Sequence, residues 1–151
     1  NYQVRANIMW SATMALNGLI GAGVPQDWAT HMIGHEMTAV YGLDHAQTLA
    51  IVLPRMMAEQ KDTKRGKLLQ YAERVLGLDI SDEDAAIDSA IAATEAFFHS
   101  VKMPTRLSDY KLDESVADKL VAQLERHGMT ALGEREQVTL EKSHAILLAS
   151  V

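Results

Sequence analysis

Apolar residues recur at intervals of three and four positions along almost all of this 151-residue chain, which is the spacing of one face of an α-helix. No stretch alternates apolar and polar residues for long enough to predict a β-sheet, and no segment is repeated. A hydrophobic content of 48% is sufficient for the core of one domain of this length. The sequence therefore predicts a single all-α domain over residues 1–151, with about seven helices.

Capping residues, glycines and prolines predict where these helices begin and end. We expect helices over about 2–20, 27–40, 44–54, 62–77, 81–101, 113–128 and 140–148, with irregular structure at 106–111 and an exposed loop at 134–137. Asp27, Asp44 and Ser81 are the candidate N-caps, and Gly42 is the candidate end of the second helix. Pro54 is expected to kink the third helix or end it early, since proline removes a backbone donor.

The charge and the composition exclude several classes of partner. With 14 basic and 20 acidic residues the net charge is -6, so the chain has no electrostatic footprint for nucleic acid or an anionic membrane. No apolar run reaches the roughly 20 residues of a membrane-spanning helix. The first residues carry neither the basic region nor the apolar region of a signal peptide, so we expect no targeting of this chain. The absence of cysteine excludes thiolate metal sites and is typical of the cytoplasm, where we expect this protein. Small molecules and other proteins remain as partners.

Three histidines in the second and third predicted helices form the main candidate site. His31 and His35 are four residues apart, which on a helix places both rings on one face, about 5 to 6 Å apart. A short turn containing Gly42 could return His45 toward them. Neutral imidazole is a good ligand for zinc and for ferrous iron, so the spacing permits a metal site, although ordinary helix-surface histidines would show it too. Glu36 follows the second histidine rather than the first, which excludes the His-Glu-x-x-His protease motif.

Five segments carry a resemblance to a known family. They are residues 17–23, 27–36, 42–54, 67–75 and 103–110, of which 42–54 reads Gly-Leu-Asp-His-Ala-Gln-Thr-Leu-Ala-Ile-Val-Leu-Pro. The whole chain resembles the C-terminal helical domain of iron-containing alcohol dehydrogenases, which share the dehydroquinate synthase-like fold. Within that family it is most similar to the branch of NADPH-dependent butanol dehydrogenases and aldehyde reductases.

The resemblance implies a role for each of the three histidines. In the family, a divalent metal is bound by an upstream Asp and an upstream His, and by two further histidines that fall on His31 and His45. The histidine at the position of His35 is not a ligand but lies beside the metal and the substrate, so it is our candidate for proton relay or substrate contact. No other histidine precedes His31, so we expect the upstream ligands to lie outside this chain. The chain is then a fragment that is inactive alone.

The resemblance also implies a function for the complete protein. We expect a metal-dependent, NADP-linked alcohol dehydrogenase or aldehyde reductase that transfers hydride between NADPH and an aldehyde polarised by iron or zinc. An N-terminal α/β domain, absent here, would bind most of the cofactor, and the full-length protein would be a homodimer acting on a small aldehyde or alcohol. Three alternatives remain: a zinc-dependent glycerol dehydrogenase, a dehydroquinate-synthase-like lyase, and a non-catalytic helical metal-binding module.

The remaining conspicuous residues have structural interpretations. Three apolar side chains are expected in the core rather than in a substrate cleft: Trp10, Trp28 and Met32. Three further histidines are expected to stand alone and face solvent: His99, His127 and His144. The charged segment 61–67 is interpreted as a solvated helix start.

Overall fold

The computed structural model describes residues 1–151 and contains seven α-helices. They are α1 (Tyr2–Leu16), α2 (Ala29–Tyr41), α3 (His45–Glu59), α4 (Arg65–Arg74), α5 (Glu83–Ser100), α6 (Ser115–Arg126) and α7 (Leu140–Ala149). A 3-10 helix at Leu107–Tyr110 lies between α5 and α6, and the strands β1 (Ala131–Leu132) and β2 (Val138–Thr139) pair between α6 and α7. The predicted all-α class with about seven helices is confirmed.

Helix α3 lies at the centre of the fold and packs against α2, α5 and α7. The main core is formed by α2, α3, α6 and α7, together with the 3-10 helix and the two strands. Its fully buried side chains include Ile33, Met37, Ile51, Leu120, Leu124 and Leu147. Burial of these apolar side chains is the principal source of stability, and it fixes α2 and α3 against each other.

Helix α1 contributes nothing to this core, because none of its residues is buried. Its side chains Ile8, Trp10 and Leu16 are between 63% and 70% exposed, so the prediction that Trp10 lies in the core is wrong. The helix ends four residues earlier than predicted, where Asn17 accepts a hydrogen bond from the Leu19 backbone (3.0 Å) and Gly18 takes a φ of 88°. Neither α1 nor any other helix has the length and apolar character needed to cross a membrane.

The predicted caps on either side of the α2–α3 turn are present. Gly42 ends α2 in the left-handed region, with a φ of 69° that glycine adopts at little cost. Asp44 precedes α3 in extended conformation, and its N–H donates to Oε1 of Gln47 at 2.8 Å. The conformations at Gly42 and Asp44 define a turn of three residues between the two helices.

The predicted cap at the start of α2 is also present, since Oδ1 of Asp27 accepts a hydrogen bond from the backbone N–H of Ala29 at 2.8 Å.

Besides the end of α1, three predicted boundaries are wrong, each for a physical reason. Helix α3 continues through the buried Pro54 to Glu59, because packing of the surrounding core outweighs the hydrogen bond that proline removes. Helix α5 is capped by Asp82, whose Oδ1 accepts from Ala85 N at 3.1 Å, while Ser81 bonds to Asp79 instead. Helix α4 begins at residue 65 rather than 62, because the preceding residues form turns.

The apolar pattern did not predict the short antiparallel strand pair of β1 with β2, nor the 3-10 helix at Leu107–Tyr110, where irregular structure was expected. Leu132 pairs with Val138, and Ala131 pairs with Thr139. Each strand has only two residues, which is too short for an alternating pattern to be detectable. The predicted loop at 134–137 is the connection between the two strands.

A half-buried ion pair between Arg55 and Glu95 holds the end of α7 against α3 and α5. Two guanidinium nitrogens of Arg55 donate to the Glu95 carboxylate at 3.1 and 2.5 Å, and the third donates to the carbonyl of Ala149 at 3.1 Å. The hydroxyl of Thr105 also donates to Glu95, at 2.8 Å. The hydrogen bonds from Arg55 are the main reason that the pKa of Glu95 falls to about 2. The ionised carboxylate therefore stabilises the folded state.

Substituting Glu95→Gln should lower the free energy of unfolding at pH 7 by about 1–3 kcal/mol, because the bonds from Arg55 lose their ionic acceptor. The pKa of this group is lower in the folded chain than the value of about 4.3 for an unfolded glutamate. Its contribution is therefore complete above that value and is lost as the pH falls toward about 2. Urea unfolding followed by circular dichroism at pH 7, 4 and 3 measures the difference.

The exposed Glu73 provides the control for this experiment, since Glu73→Gln removes a charge of the same sign that has no ion-pair partner. We expect this control to change the free energy of unfolding by less than about 0.5 kcal/mol at every pH. A Glu95→Gln penalty that did not shrink between pH 7 and pH 3 would contradict the stabilising role of the carboxylate.

Candidate functional site

The turn between α2 and α3 brings three imidazole rings together. His31 and His35 lie one turn apart on α2, and His45 is the first residue of α3. The ring centroids of His31 and His45 are 5.2 Å apart, those of His31 and His35 are 6.1 Å apart, and those of His35 and His45 are 5.8 Å apart. We call these three residues the histidine cluster.

The spacing within the histidine cluster depends on the close contact of α2 and α3. Gly34 is buried on α2, and a Cβ atom there would lie only 2.8 Å from Oγ1 of Thr48 on α3. Thr48 is fully buried, and its hydroxyl donates to the backbone carbonyl of His45 at 2.9 Å. The missing side chain at residue 34 thus permits the close approach of the helix that carries His45.

The electrostatic environment favours the neutral form of His31. His31 is half-buried, whereas His35 and His45 are exposed. Burial is the main cause that lowers the pKa of His31, with smaller contributions from the positive charges that His45 and His35 would carry. Since metals bind the unprotonated imidazole, this shift makes His31 available as a ligand at neutral pH.

The histidine cluster fits part of a metal shell. Two imidazoles that share one ion through nitrogen bonds of about 2.1 Å have ring centres about 5 Å apart, which is close to the 5.2 Å between His31 and His45. Imidazole nitrogen suits both iron and zinc. However, no group of three or more His, Asp or Glu side chains in this chain is arranged to hold an ion. The chain thus offers two candidate nitrogen ligands rather than a complete coordination site.

An open cavity of about 370 Å³ adjoins His31, between the end of α1 and the start of α2. Its apolar lining includes Leu16, Ile20, Val24 and Trp28. The rings of Trp28 and His31 meet edge to face at 4.9 Å, and Trp28 is 37% exposed, so the prediction that this tryptophan is a core residue is wrong. Met32 packs against the core as predicted. Residues of the segment between α1 and α2 therefore form an apolar surface beside the histidine cluster.

The other histidines are paired, which corrects the prediction that they stand alone. His127 Nδ1 lies 2.7 Å from Oε1 of Glu36, His144 Nε2 lies 3.0 Å from Oδ1 of Asp118, and His99 Nε2 lies 2.9 Å from Oγ1 of Thr105. Glu36 is 5% exposed and occupies the buried side of α2. The partners of His127 and His144 are 91 and 26 residues distant in sequence, so no local spacing could predict these pairs.

Comparison with known proteins places this arrangement in context. Residues 1–151 match the family model described as Fe-containing alcohol dehydrogenase family, C-terminal. The chain is 63% identical over 150 residues to the NADPH-dependent aldehyde reductase YqhD of Escherichia coli K12, covering 99% of this chain and 39% of that protein. It is 33% identical over 154 residues to the probable NADH-dependent butanol dehydrogenase 1 of Bacillus subtilis 168, covering 100% of this chain and 39% of that protein.

A solved structure gives the same result. The crystal structure of E. coli K-12 YqhD matches with a TM-score of 0.98 at 62% identity, over 100% of this chain and 39% of that chain. The chain thus spans 39% of the length of these relatives.

Substituting Gly34→Ala should lower the free energy of unfolding by about 1–3 kcal/mol, because the new methyl group would overpack the contact with Thr48. Gly66→Ala on α4 is the matched control. No atom lies within 4 Å of its added Cβ, so this variant should be more stable by up to about 1 kcal/mol through helix propensity. Urea unfolding of the two variants measures the difference. Equal stabilities of the two variants would contradict the close contact of α2 and α3.

Proposed function

Because this chain belongs to the Fe-containing alcohol dehydrogenase family, we propose that it is the C-terminal, metal-binding part of an NADP-linked alcohol dehydrogenase or aldehyde reductase. The observation that carries this proposal is the 5.2 Å separation between the ring of His31, which is partly buried, and the exposed ring of His45. The choice of NADP and of an aldehyde substrate is supported by the 63% identity to a relative named an NADPH-dependent aldehyde reductase.

We assign His31 and His45 as two ligands of one divalent metal, iron or zinc. Oxygen and nitrogen ligands from outside this chain, an Asp and a His, would complete the shell in the full-length enzyme. Two features support this division: the 5.2 Å ring separation suits a shared ion, and residues 1–151 contain no complete set of ligands. The exposed position of His35 and His45 leaves room for the remaining ligands and the substrate.

When bound, the metal supplies Lewis-acid polarisation of the aldehyde carbonyl, and NADPH supplies the hydride. The residues of this chain do the rest. The rings of His31 and His45 would present two ring nitrogens to the metal at a fixed spacing. The exposed ring of His35 lies 5.8 Å from that of His45 and would hydrogen-bond the substrate oxygen or pass a proton to it. The apolar cavity beside Trp28 receives the aliphatic part of the substrate and limits the access of water.

This proposal also fixes the expected partners. The substrate is a small aldehyde or alcohol, the cofactor is held mainly by an N-terminal α/β domain, and the full-length enzyme is a homodimer. We further propose that the apolar side chains exposed on α1 are covered in that enzyme, so that the isolated chain self-associates. The cytoplasmic location stays a prediction. We prefer this proposal to the three alternatives, a glycerol dehydrogenase, a lyase and a non-catalytic module, because the chain is 63% identical to a relative named an aldehyde reductase.

Removing either proposed ligand from the full-length enzyme should abolish metal binding and activity. We expect His31→Ala and His45→Ala each to lose metal and to lower NADPH-dependent reduction of butanal more than about a hundredfold, since even indirect supports of a metal cost 10–100-fold. Metal content by mass spectrometry and the loss of NADPH absorbance are the measurements.

His144→Ala is the matched control, because His144 is bonded to Asp118. This variant should retain both its metal and its activity. The isolated 151-residue chain should be inactive. Retention of metal and rate by both ligand variants would refute the assignment.

Substituting His35→Gln should separate catalysis from metal binding. The amide can still donate and accept hydrogen bonds but cannot titrate near neutral pH, so the metal content should be unchanged. We expect kcat to fall about 10²–10⁴-fold if His35 moves a proton, with loss of the corresponding limb of the pH–rate profile. An unchanged kcat and pH profile would show that His35 only packs beside the site.

A further inference from the structure

The indole of Trp28 lies against the ring of His31. Trp28 directly precedes α2, and its carbonyl accepts from the backbone N–H of Met32 at 2.9 Å, so it belongs to the first turn of that helix. Residues three apart on a helix are neighbours, and the two rings meet edge to face, with centroids 4.9 Å apart and planes at 72°. The ring of His31 makes no hydrogen bond within this chain. The indole is therefore a contact that can orient this ring.

The side chain of Gln26 holds the indole. Oε1 of Gln26 accepts a hydrogen bond from Nε1 of Trp28 at 3.2 Å. The same carboxamide lies on the backbone of Gly21, because a Cβ atom added at residue 21 would be only 1.6 Å from Nε2 of Gln26. All three residues line the cavity beside His31. The missing side chain at residue 21 thus leaves room for the amide, and the amide supports the indole.

The backbone before Trp28 is anchored by the carboxylate of Asp27. Its Oδ1 caps α2 at 2.8 Å, and its Oδ2 accepts from the ammonium of Lys64, which also donates to Oε2 of Glu134 at 2.7 Å. Lys64 is half-buried and paired with two carboxylates, so the interpretation of the segment 61–67 as a solvated helix start is wrong at this residue. The backbone that carries the indole is therefore fixed on both sides.

We propose that Trp28 is a positioning residue for the proposed metal ligand His31, and that Gln26 holds the indole in place for this task. This inference rests on the proposed function, in which His31 binds the metal. A ring that is already oriented loses less freedom when it binds an ion, and it therefore binds the ion more tightly. Groups that orient a metal ligand typically contribute 10–100-fold to metal affinity. The contribution of Gln26 has to pass through the indole.

The affinity of the metal-free full-length enzyme for zinc, measured by competition with a chelator, tests the proposal. Trp28→Leu should weaken zinc binding about 10–100-fold. Gln26→Met keeps the length of the side chain but removes its acceptor, and Gly21→Ala displaces the amide of Gln26. Each of these two variants should weaken zinc binding about three- to tenfold. Gly66→Ala is the matched control, because its added Cβ meets no atom within 4 Å, and it should bind zinc as the wild type does.

A double-mutant cycle separates positioning from a general structural effect. Trp28→Phe keeps an aromatic ring beside His31 but has no N–H for Gln26 to accept from. Gln26→Met should therefore have no further effect on zinc affinity in the Trp28→Phe background. Gln26 is exposed, so Gln26→Met should also leave the urea midpoint of the metal-free enzyme unchanged.

The outcomes distinguish this inference from the proposed function. Wild-type zinc affinity in both Trp28→Leu and Gln26→Met, together with loss of zinc in His31→Ala, would overturn the positioning role and leave the ligand assignment intact. An effect of Gln26→Met that is equally large in the Trp28→Phe background would overturn it as well. Retention of zinc by His31→Ala would overturn both the inference and the assignment of this ligand.

Discussion

The close contact between α2 and α3 is the constraint on which the rest of this structure depends. Gly34 permits the contact, and the buried hydroxyl of Thr48 both fills the space and bonds to the carbonyl of His45. Behind this contact, fully buried side chains such as Ile33 and Ile51 lock the two helices into the core. The positions of the histidine rings are therefore set by packing rather than by the rings themselves. Such rigid support is what a site requires when its ligands must be held within about half an ångström.

The two faces of α2 have separate tasks. The buried face carries apolar side chains and Glu36. This carboxylate pairs with His127, which lies 91 residues away in the sequence. The opposite face carries the histidine cluster at the surface, beside the apolar cavity next to Trp28. This arrangement suits a domain whose metal ligands are completed by another part of a longer enzyme. The chain belongs to the Fe-containing alcohol dehydrogenase family and spans 39% of the length of its relative YqhD. Both facts agree with that interpretation.

Local patterns predicted most of the helices and failed where distant packing decides. The left-handed Gly42 and the cap at Asp44 were predictable, because each acts through bonds to its immediate neighbours. The continuation of α3 through Pro54 was not, since it depends on the core that surrounds this residue. The exposure of Trp10 was missed because a helix with apolar side chains ordinarily buries them.

For the histidines, the sequence spacing and the family resemblance contributed differently. Spacing alone indicated that His31 and His35 share a helix face, and left both a metal site and ordinary surface histidines open. Only the resemblance distinguished the proposed ligands, His31 and His45, from His35. Two observations of the structure support the proposed division: the shortest ring separation in the cluster is that of His31 and His45, and burial lowers the pKa of His31.

The central claim is that His31 and His45 share one metal ion, and anomalous X-ray diffraction from crystals of the full-length enzyme, collected on either side of the iron and zinc absorption edges, tests it most directly. The account predicts one anomalous peak about 2.0–2.3 Å from a ring nitrogen of both His31 and His45, and farther from the ring of His35. An enzyme that is active while its only anomalous peak lies away from both rings would contradict the account.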